Sequence, residues 1–341
     1  MKTIFTLSLA AIVLFSAMQS LAQDAGVSLF DKGVKLADAK KFKEAAEVFL
    51  QAVQKDPTDS VSFKYLSYCQ IELAQYDKAV ESARKAVSLD SSEYVAYNNL
   101  GWGLVMLGQV DDGIAELRTA IKINPSYALA HNNLGYALLK QGRDDEALTE
   151  LKTATALDSN DKRPHINLGE LYVRKGKYHE AAAEYETLTR LDPNSASNFS
   201  GLGYAYMNAG EYEKAIIALQ QAVTLDPKDL ENLRHLGMVQ SSAGRKEEAI
   251  ATFRQLLIAK PKDFDALMSV ALLQVQTARY DDAIASGKEA LEIKPNSEKA
   301  VFLVAMTYME KRDKETARTY LPRLKELDEN LAKILEKALD K

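Results

Sequence analysis

Six of the chain's eight prolines, Pro57, Pro125, Pro193, Pro227, Pro261 and Pro295, stand on one grid with a period of 34 residues, and Ser91 and Ser159 fill its two empty points. No single helix or strand has a period this long, so the sequence is a supersecondary unit copied along the chain. With Pro57 at position 32 of a unit beginning at Gly26, nine units follow without insertion or deletion: 26–59, 60–93, 94–127, 128–161, 162–195, 196–229, 230–263, 264–297 and 298–331. Arrays of this kind offer extended surfaces, and they bind more often than they catalyse.

Two positions in the unit admit only small side chains. Position 20 is alanine in eight units (Ala45, Ala79, Ala147, Ala181, Ala215, Ala249, Ala283 and Ala317) and Gly113 in the other. Position 8 is glycine from Gly33 through Gly237, except for Ser67, and becomes Ala271 and Ala305 in the last two units. Both mark places where two helices approach closely. The apolar spacing between them is helical: Phe199, Leu202, Gly203 and Tyr206 form one stripe at i, i+3, i+4 and i+7, and Ala215, Ile216, Leu219, Ala222 and Val223 form a second. Gly210 between them, matched by Gly108, Gly142, Gly176 and Gly244, suits a left-handed C-terminal cap. Asp226-Pro227 closes the unit, since a residue before proline is driven out of the helical region. Each unit is therefore a helical hairpin of about 12 plus 14 residues, an ordinary length for globular helices.

These residues resemble the tetratricopeptide repeat family, whose pattern of a large residue at 4, Leu at 7, Gly at 8, Tyr at 11, Ala at 20, a large residue at 24, Ala at 27 and Pro at 32 reads here as Phe199, Leu202, Gly203, Tyr206, Ala215, Leu219, Ala222 and Pro227. The resemblance covers residues 26–331. It implies an all-α fold, a right-handed superhelical solenoid of antiparallel helix pairs, and a concave groove lined by the first helices that takes peptides or partner helices. The motif residues are packing residues and name no activity. The outer units depart most, with Lys32 at position 7 of the first, as expected where a repeat has one neighbour only. Pro322 falls within the second helix of the ninth unit and should kink or split it. The segment 324–341, with apolar Leu327, Leu331, Ile334, Leu335 and Ala338 at helical spacing, reads as a capping helix that closes the array, or as a helix that pairs with a second copy.

Residues 1–22 are a different object. Lys2 precedes an apolar run from Ile4 to Phe15, and Ser20-Leu21-Ala22 supplies the small residues of a signal-peptidase site, so cleavage after Ala22 would leave an array over 23–331. The competing reading is a retained anchor, because Thr3 to Gln23 carries no charge and approaches the length of a membrane span. Either way Lys2 stays on the cytoplasmic side and the array is expected outside it, periplasmic or secreted. Membrane contact is expected only if this segment is retained. With 43 basic and 48 acidic residues and a net charge of -5, the chain has no global electrostatic reason to bind nucleic acid. Its lone cysteine, Cys69, precludes an intramolecular disulfide and reads as a buried apolar residue.

Sequence motifs for catalysis are absent: there is no glycine-rich phosphate loop, no Gly-x-Ser-x-Gly and no His-Glu-x-x-His. An enzyme is not expected, nor a cofactor or metal site. His131 and His165 share position 4 in adjacent units, a packing position, and no further His or Cys joins them.

What remains is the stripe opposite the packing face, at positions 2, 5, 6, 9, 12 and 13 of the first helices. It supplies the candidate peptide- or protein-binding residues Tyr68, Asn98, Asn99, Trp102, Asn132, Asn133, Tyr136, Lys140, Asn167, Glu170, Arg174, Tyr204, Asn208 and Arg234. Asn99, Asn133 and Asn167 occupy position 6 of three consecutive units, which resembles the asparagine ladder of the O-linked N-acetylglucosamine transferase repeats. Such a ladder either bonds the backbone of an extended peptide or serves local packing. Tyr68, Trp102, Tyr136 and Tyr204 share position 9, an aromatic track suited to an interface. A carboxylate clamp of the kind found in some family members is not formed: Lys64 and Asn99 match it, while Tyr68, Leu129 and Asn133 do not.

The leader has a direct test. Protein purified from the cell envelope is expected to begin at Gln23 by intact-mass measurement, and a mature chain that keeps Ile4 to Phe15 would establish the anchor instead.

Overall fold

The computed structural model describes residues 28–340, so the leader read over residues 1–22 lies outside the described residues. The chain divides into two compact units, one ending at Asn167 and the other beginning at Leu168. All regular structure among the described residues is helical. In the first unit α1 (Leu29–Asp38) pairs with α2 (Phe42–Lys55), α3 (Ser60–Glu72) with α4 (Tyr76–Leu89), α5 (Tyr94–Met106) with α6 (Val110–Ile123), and α7 (Ala128–Lys140) with α8 (Asp144–Leu157). The boundary falls inside α9 (Lys162–Arg174), not at a linker. The second unit continues with α10 (Tyr178–Leu191), then the pairs α11 (Ala196–Asn208) and α12 (Tyr212–Leu225), α13 (Leu230–Ser242) and α14 (Lys246–Ala259), and α15 (Phe264–Gln276) and α16 (Tyr280–Ile293). It ends with α17 (Glu298–Glu310), α18 (Lys314–Thr319), α19 (Leu321–Leu327) and α20 (Glu329–Leu339). No helix of the described residues is long and apolar enough to cross a membrane.

The 34-residue period is thus one hairpin, with first helices of 13 residues and second helices of 14 from α3 to α16. The grid prolines explain how one hairpin ends and the next begins. Asp56, before Pro57, is extended at φ -130° and ψ 93°, and its carboxylate accepts from the Thr58 amide at 2.9 Å. Two residues after the proline, Asp59 caps α3 by accepting from the Val61 and Ser62 amides, which satisfies amides that have no partner inside the helix. Ser195, Asp229, Asp263 and Ser297 cap α11, α13, α15 and α17 in the same way.

In the six hairpins with glycine at position 8, that glycine is a notch for the position 24 side chain. A Cβ built on Gly203 would stand 2.5 Å from Leu219 Cγ, and one on Gly135 would stand 2.6 Å from Leu151 Cγ. Gly33 takes the Phe49 ring and Gly237 the Phe253 ring in the same relation. In the eighth unit the sizes are exchanged, Ala271 at position 8 and Gly287 at position 24. Position 20 sits beside this contact: Ala45, Ala79, Ala147 and Ala215 are fully buried, and a Cβ on Gly113 would meet the Gly101 carbonyl oxygen at 2.7 Å.

Polar groups in the packed interior are held individually. His131 is buried with Nδ1 at 2.6 Å from Glu150 Oε2 and Nε2 at 3.0 Å from the Pro125 carbonyl oxygen. Both neighbours are acceptors, an arrangement that favours the imidazolium, and the Glu150 hydrogen bond raises the pKa of the ring above the ordinary value. Cys69 is fully buried, and burial pushes its thiol up to about 12, as its apolar reading requires.

At the C-terminus Pro322 splits the last second helix at Tyr320, with the proline in the first turn of α19, where its missing amide costs no hydrogen bond. The segment expected as one helix from 324 onward is interrupted. Asp328 is extended and caps α20 by accepting from the Asn330 and Leu331 amides, a local bond that competes with helix continuation. Ala332, Leu335 and Leu339 of α20 join Val301, Ala305, Ala317 and Leu324 in one buried cluster. They cover the apolar side of α17 and α18.

Position 15 is left-handed in every unit. Gly108, Gly142, Gly176, Gly210 and Gly244 have φ between 69° and 82°, and Lys40, Ala74, Ala278 and Arg312 adopt φ of 54° to 65° at the equivalent points. The glycines face open space, so a side chain there meets only the backbone penalty of about 1–2 kcal/mol for a left-handed L-residue. Gly210→Ala is expected to cost about 1 kcal/mol, and Ala278→Gly to gain about 0.5 kcal/mol after the glycine's greater unfolded-state entropy is subtracted. Chemical-denaturation midpoints shifting in opposite directions would establish the effect.

Candidate functional site

The stripe opposite the packing face forms a cleft in the first compact unit, of about 630 Å³. Its sides come from α3, α5, α7 and the N-terminal half of α9, because hairpins in register bring the same positions of successive first helices side by side. Eight of the sequence-expected residues meet there: Tyr68, Asn98, Asn99, Trp102, Asn132, Asn133, Tyr136 and Asn167.

The asparagines form its floor and bond to one another. Asn167 Nδ2 donates to Asn132 Oδ1 at 3.0 Å, Asn132 Nδ2 to Asn133 Oδ1 at 3.2 Å, and Asn133 Nδ2 to Asn98 Oδ1 at 2.9 Å. The chain continues from Asn98 Nδ2 to Asn99 Oδ1 at 3.3 Å and from Asn99 Nδ2 to Ser67 Oγ at 3.0 Å, and Ser67 donates to the Lys64 carbonyl oxygen at 2.6 Å. Asn98, Asn99, Asn132 and Asn133 are at most 5% exposed. Each bond between units ties a position 6 amide to position 5 or 8 of the preceding hairpin, so the ladder joins units as well as lining the cleft. Each primary amide has two N–H donors, and one bond to a neighbour leaves Asn98, Asn132 and Asn133 a second.

Aromatic rings stand above this floor. Trp102 and Tyr136 lie 5.3 Å apart between ring centroids at 60°, and the Lys140 ammonium sits 5.3 Å from the Tyr136 ring, within the range of a cation–π contact. Tyr68 is 37% exposed and meets Phe42 edge-on at 5.8 Å. Tyr136 also packs against the buried cluster of Val105, Leu117 and Leu134, so it is partly a packing residue and not purely a surface one. The rim carries Glu72 and Arg163, and Arg163 is held bidentately by Asp161 at 2.8 and 2.9 Å.

The expected residues of the second compact unit have other surroundings. Glu170 and Arg174 are exposed, and Asn208 is exposed with Nδ2 donating to the Tyr204 carbonyl oxygen at 2.8 Å. Tyr204 meets the His235 ring at 5.6 Å. Arg234 is engaged by Asp263 at 2.8 Å; this hydrogen bond holds the Asp263 carboxyl below the usual carboxylate range. Asp263 also caps α15 through the Ala266 amide, so Arg234 serves the joint between two hairpins.

Leu129, Ile166 and Ile71 line the cleft without having been singled out. They stand at positions 2, 5 and 12 of the same stripe, and their register was readable even though apolar residues carry no polar signature. Tyr76 comes from the first turn of a second helix, which a stripe drawn on first helices does not reach. Among the described residues no group of three or more His, Cys, Asp or Glu is placed to hold a metal ion.

Comparison with known proteins follows from this architecture. Residues 119–333 match the family model described as cilia and flagella-associated protein 70 C-terminal domain, and residues 66–93 match the tetratricopeptide repeat model. No curated protein matches the chain. Among solved structures, PilW, described as a widely conserved type IV pilus biogenesis factor, is similar with a TM-score of 0.54 at 20% identity, over 62% of this chain and 96% of that one. YrrB, described as a TPR protein with an unusual peptide-binding site, has a TM-score of 0.46 at 24% identity, over 55% of this chain and 97% of its own. A tetratricopeptide repeat protein from Parabacteroides merdae ATCC 43184 has a TM-score of 0.48 at 18% identity, over 74% of this chain and 100% of its own.

The ladder makes a stability prediction separate from binding. Asn133→Ala removes both the donor to Asn98 Oδ1 and the acceptor of Asn132 Nδ2, leaving two buried groups unpaired, and is expected to cost about 1–3 kcal/mol. Asn208→Ala, whose amide is exposed, should fall within about 0.5 kcal/mol of the parent. Equal denaturation midpoints for the two variants would sink the load assigned to the ladder.

Proposed function

Because the chain belongs to the tetratricopeptide repeat family, we propose that it is a non-catalytic adaptor whose cleft between Tyr68 and Asn167 takes an extended peptide or a partner helix. The observation that carries this reading is the juxtaposition of Trp102 and Tyr136 over a floor of amides with unused N–H donors. Aromatic anchors in a desolvated pocket supply most of the energy of an interface. Amide donors satisfy the carbonyls of an extended backbone without reading its side chains. The leader read over residues 1–22 supports an exported protein, periplasmic or secreted, acting within an envelope complex. A self-assembling solenoid is the second reading, and Ile334, 51% exposed on the terminal helix α20, favours it.

Trp102 is the only tryptophan of the chain, so its fluorescence reports occupancy of the cleft directly. With a partner isolated from envelope extract, titration is expected to shift Trp102 emission. Replacing Trp102 and Tyr136 with Ala should weaken binding by at least about 2 kcal/mol, measured by calorimetry. Leu202→Ala is the control, with stability lowered by about 2–5 kcal/mol as for other large-to-small core changes. Unchanged affinity in the groove variant, with binding lost on Ile334→Lys, would move recognition to the terminal helix.

A further inference from the structure

A polar residue at position 4 comes with glutamate at position 23: Tyr97 with Glu116, His131 with Glu150, and His165 with Glu184. Apolar Phe63, Phe199 and Leu233 come instead with Ser82, Ala218 and Thr252. Two neighbouring units thus place an imidazole and a carboxylate where others place a neutral pair. In both, the ring also reaches back to the carbonyl at position 32 of the preceding unit. His131 Nε2 lies 3.0 Å from the Pro125 oxygen, and His165 Nε2 lies 3.2 Å from the Ser159 oxygen.

His131 is buried between the turn before α7 and helix α8, with an acceptor at each ring nitrogen: the Pro125 carbonyl at Nε2, and Glu150 Oε2 at 2.6 Å from Nδ1. A carboxylate and a bare ring nitrogen would both point lone pairs into that short contact. One proton therefore lies between Nδ1 and Oε2, whichever atom holds it. Glu150, from α8, is the charged group that faces the ring, and α6 and the preceding turn bring it no other charge among the described residues. The Glu150 hydrogen bond outweighs burial and raises the pKa of the ring, so this proton is kept to higher pH than on a free imidazole.

We propose that His131 is a proton-operated clamp, which locks α7 to α8 while both ring nitrogens carry protons and releases the fourth hairpin as pH rises. The Glu150 side chain is 27% exposed and can turn to water, whereas the His131 side chain, 9% exposed, cannot. The Nδ1 contact is therefore the one that opens, and the Pro125 contact stays. Nδ1 is then a buried acceptor without a donor, which is unfavourable. A ring whose folded pKa is raised contributes stability that is present in full below its unfolded value of about 6.5 and is lost as pH climbs through the folded one. Because α7 also carries Asn132, Asn133 and Tyr136, and Tyr136 meets Trp102, the release reaches the cleft. Its effect on a ligand rests on the adaptor reading, whereas the clamp is a property of the free chain.

The test uses the full chain without a partner. With histidine rings labelled, NMR titration is expected to place the His131 midpoint above the ordinary value of about 6.5. In Glu150→Gln, whose amide can donate to the neutral ring, the midpoint should return to that value or below. Hydrogen exchange, corrected for the intrinsic pH dependence of amide exchange, is expected to show protection in α7 and α8 falling at least about threefold relative to α3 and α4 as pH passes the His131 midpoint. The paired change His131→Phe with Glu150→Ser installs the residues of the second unit, Phe63 and Ser82, so it should fold and abolish the fall. A His131 midpoint at or below the ordinary value, a midpoint unmoved by Glu150→Gln, or an equal loss of protection in the paired variant would overturn the proposal. Partner binding insensitive to pH, with the titration and exchange as expected, would support the clamp and count against recognition in the cleft.

Discussion

The whole architecture depends on how closely two helices approach within one hairpin. Glycine at position 8 lets the position 24 side chain press against the opposite backbone, as Leu219 does at Gly203 and Leu151 at Gly135. Alanine at position 20 keeps the same crossing free of bulk. A Cβ at 2.5 Å from a neighbouring carbon is a contact that real structures do not sustain, so a larger residue at the notch forces the helices apart. Interiors are packed too tightly to absorb such a change without loss. Because a close approach at these small residues recurs from hairpin to hairpin, the side on which the first helix is left uncovered recurs with it.

That repetition makes the candidate cleft possible. Packing uses positions 4, 7, 8 and 11 of the first helix, which leaves the opposite stripe free, and in-register stacking aligns that stripe from α3 to α9. The amides at positions 5 and 6 then reach across units and bond to one another. A buried polar group must find partners, and here the partners are the equivalent amides of neighbouring repeats. The ladder therefore holds the first helices in a fixed spacing. A floor fixed in this way pays little ordering entropy when a ligand arrives.

Most of the fold was legible because its determinants are small residues at a constant interval. Gly210 and Ala215 say where a turn and a close contact must fall, and the helices end where those residues require. The C-terminal segment was less legible. Its apolar spacing runs on through Leu327 and Leu331, but Asp328 bonds to the Asn330 and Leu331 amides and starts a new helix, a local hydrogen bond that periodicity does not register. The left-handed turns at Lys40, Ala74, Ala278 and Arg312 were hidden for a related reason. The neighbouring hairpin contacts impose a conformation that those residues do not prefer. In the cleft the aromatic and amide positions followed from register, whereas the bonding of the asparagines to one another did not. Whether a stripe residue faces outward or toward its neighbour is settled by the rise from one hairpin to the next, and Arg234 shows the same limit, since its partner Asp263 stands 29 residues away.

Repeat proteins keep packing positions constant and let surface positions drift, and in this chain the drift is uneven along the array. Position 6 runs Asn99, Asn133, Asn167 and then Gly201, so the amide ladder stops after three units. Position 9 runs Tyr68, Trp102 and Tyr136 beside those amides, then Glu170, Tyr204, Met238, Leu272 and Met306. Through all of these changes positions 8 and 20 stay small, as glycine, alanine or serine at the one and alanine or glycine at the other. The hairpin therefore tolerates an aromatic, an acid or an aliphatic residue at position 9 with the same backbone. Position 9 is thus the loosely tied position, free to be shaped by a partner, whereas the bonded amides at position 6 join one hairpin to the next and answer to stability as well.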